Sequence, residues 1–145
     1  ARTATAPFTA SAWPAGFIFG ATSQTWSRGT PLEQRAAAAG LCEPRLLVQP
    51  AHIRAVLSIL DHITAAFERA PLPRSADYAV LRKGLGYCWS VAVVALSAEG
   101  KPYFEKWLAS PDRDIRWIMG ENLKKARLER MDPAWVLAMR IKYGF

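Results

Sequence analysis

Between Ala51 and Ala70 the apolar residues Ile53, Val56, Leu57, Leu60, Ile63 and Phe67 recur at i, i+3, i+4, i+7 spacing, with Arg54, Ser58, Asp61, His62 and Arg69 between them. Only a helical turn of about 3.6 residues gathers that set on one side, so other elements must cover the stripe. Pro71-Leu72-Pro73 ends the segment, because proline cannot donate to a helical ladder. Start and stop signals of the same kind punctuate the rest of the chain. Upstream, Thr30-Pro31-Leu32-Glu33 has the form of a capping box with proline at the first helical position; the short helix runs through Ala39 and stops at Gly40. Residues 41–50, with Pro44 and Pro50, form a connector.

Downstream, Ser75 and Asp77 open a helix to about Leu96 that is apolar nearly all round in its second half, the mark of a helix with neighbours on several sides. Ser97-Ala98-Glu99-Gly100 reads as a turn. Lys101–Ala109 follows as a short helix turning Phe104, Trp107 and Leu108 inward. Ser110-Pro111-Asp112 caps a helix to about Arg130, with Asp112 and Asp114 where the helix dipole favours negative charge. Asp132-Pro133 starts a last helix ending near Tyr143-Gly144. Six helices and no strand make an all-α chain. Residues 1–30, nearly free of charge and punctuated by Phe8, Trp13, Phe17, Phe19 and Trp26, form an extended or partly disordered arm, and residues 31–145 a single helical domain.

At 145 residues, 51% hydrophobic and 21% charged, the chain can bury a core without disulfides or metals. The net charge of +7 permits an acidic partner or nucleic acid without requiring either, since the excess is spread along the chain with a modest C-terminal concentration. Cys42 and Cys88 have no partner at metal-binding spacing and read as two free thiols of a reducing compartment, which favours a cytoplasmic protein. The uncharged stretch Gly84–Ala98 is too short to span a bilayer. The N-terminus lacks the pattern of a signal peptide, and the chain reads as a fragment or a processed product as readily as a whole.

An aliphatic residue followed by Arg opens three of the helices, at Ile53-Arg54, Leu81-Arg82 and Ile115-Arg116. Leu81-Arg82-Lys83-Gly84-Leu85-Gly86 aligns with Ile115-Arg116-Trp117-Ile118-Met119-Gly120 at an offset of 34 residues. With Trp107-Leu108-Ala109-Ser110-Pro111-Asp112-Arg113-Asp114 before the second copy, residues 75–130 resemble the HEAT and armadillo-like helical repeats. The resemblance is faint over 50–70 and does not extend to 1–50. It implies a short α-solenoid of helical hairpins, in which acidic turns cap each second helix and the Arg bridges neighbouring turns; an irregular helical bundle is the alternative. Separately, Trp13-Pro14-Ala15-Gly16-Phe17-Ile18-Phe19-Gly20-Ala21-Thr22-Ser23 resembles the opening strand of family-one glycoside hydrolases. Those enzymes are much longer barrels with paired catalytic carboxylates, which nothing downstream supplies, so the match is read as chance.

No catalytic, cofactor-binding or metal-ligating set emerges. His52 and His62 lie off a common helical face, and Ser58 with His62 lacks an orienting acid. Gly84, Gly86 and Gly120 inside helices point to close helix–helix approach. The residues singled out for a partner surface are Arg113, Arg116, Trp117, Lys124 and Arg127, a basic stripe around an aromatic on one expected helix. The competing reading makes Asp112–Arg116 and Glu121–Lys125 ordinary i, i+4 pairs. A solenoid without catalytic groups implies a non-enzymatic protein-interaction or scaffold module. The alternative is a nucleic-acid-binding protein resembling the HEAT-like alkylpurine DNA glycosylases, and self-association through the sticky last helix is a third expectation.

Overall fold

The computed structural model describes residues 25–145, and among them every regular element is helical. The elements are α1 (Pro31–Leu41), a 3-10 turn (Pro44–Leu46), α2 (Pro50–Arg69), α3 (Ala76–Ala95), α4 (Ser97–Leu108), α5 (Arg113–Leu123), α6 (Ala126–Met131) and α7 (Pro133–Tyr143). Most of the expected arm, with Phe8, Trp13, Phe17 and Phe19, lies outside the described residues. Trp26 is described and buried, and residues 25–27 form a helical turn whose Ser27 carbonyl accepts from the Gln34 side chain.

The caps read from the sequence are in place. Thr30 Oγ1 accepts from the Glu33 amide at 3.2 Å while Glu33 Oε1 accepts from the Thr30 amide at 2.9 Å, so each residue satisfies an orphan donor of the other. Asp112 accepts from the Asp114 and Ile115 amides, Asp132 from the Trp135 amide, and Gly144 takes a left-handed conformation (φ 76°) after α7.

Three boundaries differ from expectation. Helix α1 runs through Gly40 to Leu41, because Gly40, Leu41 and Cys42 are all buried against the core and continuing the helix brings them there. Ser97–Gly100 is the first turn of α4 and not a reversal; only Leu96 separates α3 from α4. The expected 112–130 helix is two helices broken at Lys124-Lys125. On an uninterrupted helix Leu128 would point roughly away from the face formed by Ile115, Ile118, Met119 and Asn122, at about 100° per residue. The break turns the chain so that Leu128 is fully buried as well.

Helix α3 is the centre of the molecule, as its all-round apolar second half requires. Helices α1 and α5 make the largest contacts with it, and α2 and α4 cover its remaining buried sides. Leu81, Leu85, Cys88, Trp89, Ala92 and Val93 of α3 share one buried core with the α2 stripe, whose six periodic residues are all buried. Between α2 and α3 the buried polar groups Trp89 and Thr64 are paired: the Trp89 indole N–H donates to Thr64 Oγ1 at 3.0 Å, and Thr64 donates to the Leu60 carbonyl. Cys42 and Cys88, buried and unbonded, lie side by side between α1 and α3; hydrogen bonding to Cys88, then burial, pushes the Cys42 thiol well above its usual range.

Helix-internal glycines mark close approach. A Cβ on Gly86 would stand 3.2 Å from the Trp117 ring and 3.4 Å from Glu121 Cβ on α5. At Gly100 the obstacle is backbone, since a Cβ would fall 2.9 Å from Val93 Cα. Gly100→Ala is therefore expected to lower stability by about 1–3 kcal/mol despite alanine's better helix propensity. Gly84→Ala, which meets only the flexible Arg35 side chain, should be neutral or stabilising by up to about 1 kcal/mol. Thermal melts of the two variants check this, and equal shifts would contradict it.

Candidate functional site

The buried sides of α1, α3 and α5 leave one line of each helix open, and lateral contacts set these lines side by side. On α5 the line is Arg113, Trp117, Gly120 and Lys124; on α3 it is Ala79, Val80, Lys83, Tyr87 and Val94; on α1 it is Leu32, Arg35 and Ala39. Arg35 lies over Gly84, and Trp117 and Glu121 lie against Gly86, so in each seam a glycine of α3 receives side chains of the neighbouring helix. Beyond the break, α6 swings Arg127 back to α3, where its guanidinium lies over the Tyr87 ring (4.9 Å) and donates to Ser90 Oγ (2.9 Å).

One arrangement recurs across this surface. Arg82 stacks over Trp117 at 4.2 Å with Asp114 at 3.6 Å, and Arg116 stacks over Phe145 at 4.4 Å while donating to the carbonyls of Tyr143 and Gly144. Arg127 over Tyr87 is the third case. Each guanidinium is held by one ring and by an acceptor to one side, which fixes a side chain that otherwise has many rotamers. The 34-residue offset has a structural counterpart here. Trp117 rests on Gly86 beneath Arg82, and Phe145 rests on Gly120 beneath Arg116, so in both copies Arg and Gly four residues apart cradle an aromatic from further along the chain.

Charge is segregated between the two sides of the molecule. The open face carries Arg35, Arg82, Lys83, Arg113, Arg116, Lys124 and Arg127, with Asp114 tied to Arg74 and Arg82 and Glu121 tied to Lys124 at 2.6 Å. On the opposite side α2 balances Arg54 and Arg69 against Asp61 and Glu68, and α4 balances Lys101 and Lys106 against Glu99 and Glu105. The open face therefore holds the larger part of the basic excess, and Arg130, Arg140 and Lys142 of α6 and α7 carry more of it elsewhere.

Of the residues singled out from sequence, Arg113, Trp117 and Lys124 share the open line of α5, and Arg116 lies at its edge. Arg127 belongs to a separate helix and reaches the same face through Tyr87. The ordinary i, i+4 pairs do not form: Asp112 pairs with Arg74 (2.8 Å), Arg116 with C-terminal carbonyls, and Glu121 with Lys124. Sequence reading missed Tyr87, Arg35 and Arg74. It had flagged Arg82 only as a repeat feature, although the aliphatic-Arg pair was the signal, and the bridge it makes runs between helices.

At the Arg113 end lies a groove of about 660 Å³ bounded by Phe67, Leu72, Arg74, Tyr78, Arg82 and Asp114. Its carboxylates are committed. The Arg74 guanidinium, 7% exposed, sits over Phe67, donates to Asp112 and Asp114 and reaches the Glu68 carbonyl. That arginine, before the two backbone amides, holds the Asp112 carboxyl below the usual carboxylate range. On α7 a second, apolar strip exposes Leu137 and Ile141. Among the described residues no cluster of His, Cys, Asp and Glu could hold a metal, and no helix is long and apolar enough to cross a membrane. Comparison with protein-family models, with curated proteins and with solved structures gives no match.

Proposed function

We propose that this chain is a non-enzymatic binding module, a short HEAT-like stack of helical hairpins, and that its partner on the α1/α3/α5/α6 face is nucleic acid. The segregated charge carries this reading. A face bearing seven Lys and Arg side chains interleaved with Tyr87, Trp117 and Phe145, opposite a side whose charges cancel, has the electrostatic footprint of a polyanion site. The two-layered order, with α1, α3 and α5 abreast and α2 and α4 behind, supports the repeat reading. A cytoplasmic location belongs to the same reading, as two buried thiols in contact stay unbonded in a reducing compartment.

Binding to a mixed-sequence duplex, followed by fluorescence anisotropy, tests it. If about four phosphates are neutralised, affinity should fall about a hundredfold between roughly 50 and 200 mM salt. Absence of binding at the lower salt concentration would remove nucleic acid from the account. The exposed Leu137 and Ile141 of α7 favour a second contact, with protein. A copy of the same chain would show there as a concentration-dependent mass that Leu137→Ser with Ile141→Ser abolishes.

A further inference from the structure

We infer that the basic face reads the phosphodiester backbone and not the bases, because its exposed aromatics are already lidded by guanidinium groups. The inference rests on the nucleic-acid reading above and concerns which part of that polymer makes contact. Proteins that hold unpaired bases offer them an open aromatic ring. Here Trp117, 36% exposed, has Arg82 over its ring and the Gly86 backbone against its edge; Tyr87, 39% exposed, has Arg127 over it; Phe145 is held between Arg116 and Gly120. A base stacking on the ring face that an arginine covers has to displace a guanidinium that is also held by Asp114, by Ser90 Oγ or by the Tyr143 and Gly144 carbonyls.

What the stacks present outward is guanidinium. Each has five N–H donors, and the acceptors at the site engage only one side of the fork. The remaining donors are fixed in orientation by the ring beneath, the geometry that meets phosphate oxygens in pairs. Arg82, Arg116 and Arg127 thus act as phosphate clamps, and Trp117, Phe145 and Tyr87 as their positioning residues. Around them Arg35, Lys83, Arg113 and Lys124 add charge without geometric selectivity. Such a surface binds any sequence, and duplex as readily as single strand.

Three probes with equal numbers of phosphates per strand decide the matter: a mixed-sequence single strand, the same strand with every base removed, and the duplex. Abasic and mixed strands should bind the wild-type protein within about threefold of each other. Trp117→Leu, which frees Arg82 from its ring, should weaken all three probes by a similar factor. Base stacking contributes about 5- to 150-fold per base, so a mixed strand bound tenfold or more tightly than the abasic one would overturn the inference while leaving the nucleic-acid reading intact. Binding to none of the three would overturn both.

Discussion

Replacing Arg74 with leucine should lower the free energy of unfolding by about 3–5 kcal/mol, among the largest effects available in this protein. Its side chain is 7% exposed and bridges Asp112 and Asp114 at 2.8 Å each, on carboxylates that are themselves mostly buried. Leucine would fill part of the space and rest on Phe67, but it leaves two like charges together, with one of their cations gone. The two carboxylates also fix the entry of α5, so the loss should spread to the helix carrying Trp117. Urea unfolding at neutral pH measures the effect, and a change below about 1 kcal/mol would show that the network is not structurally important.

The same pair sets a pH dependence. The Asp112 carboxyl is held below its ordinary value of 3.8, first by the hydrogen bond from Arg74 and then, although burial opposes the shift, by the Ile115 amide. A group with a depressed folded value contributes stability that is fully present above its unfolded value and lost as pH falls through the folded one. Wild-type stability should therefore drop as pH falls below about 4, a fall to which Asp112 contributes. In Arg74→Leu that contribution shrinks, because protonation then relieves the repulsion between Asp112 and Asp114. Parallel acid limbs for the two proteins would contradict this origin.

The second large effect is expected at Asn122, fully buried between α3 and α5. Its Oδ1 accepts from the Ser90 amide at 2.8 Å, and its Nδ2 donates to the carbonyls of Leu85 (2.9 Å) and Ile118 (2.8 Å). Asn122→Leu keeps the volume and strands those groups, at about 2–4 kcal/mol. Asn122→Asp should be no better, because a carboxylate can accept from Ser90 but faces two carbonyl oxygens. Hydrogen exchange gives a local reading: the Ser90 amide should lose protection in Asn122→Leu beyond what the global change explains. Unchanged protection at Ser90 would mean that the helix ladder alone satisfies it.

These two residues also show where sequence reasoning stops. The core of α2 was legible because burial follows a period, and the caps at Thr30, Asp112 and Asp132 were legible because capping is local. Arg74 was not, since nothing within a turn of it announces partners 38 and 40 residues away. Asn122 sits at a core position of α5, where a polar residue could equally have marked a helix end or a solvent-facing site. Of the candidate surface, the part on one helix (Arg113, Trp117 and Lys124) could be assembled from spacing. The part contributed by α1 and α3 could not, because spacing does not say which helices lie abreast. The break at Lys124-Lys125 was hidden for a related reason: both flanking segments have good helix formers, and only the burial of Leu128 demands a turn.

The glycines lie between these cases. Their positions announced close approach, and Gly86 and Gly120 do receive Trp117 and Phe145. The arginines that close over those rings came from the repeat signal, which implies a bridge between neighbouring turns; Arg82 and Arg116 instead close over the aromatic rings of Trp117 and Phe145.

The central claim is that the basic excess forms a face with a function, and matched neutralisation on the two sides of the molecule tests it most directly. Lys83→Gln with Lys124→Gln removes two charges from the open face; Arg54→Gln with Arg69→Gln removes the same number from α2 behind it. Duplex affinity is measured at fixed low salt for both double variants and the parent. The account predicts that the first pair weakens binding about tenfold or more and flattens its salt dependence by up to about two counterions, while the second leaves both within about twofold. Equal losses from the two pairs would show that only net charge matters, and would contradict the assignment of the face.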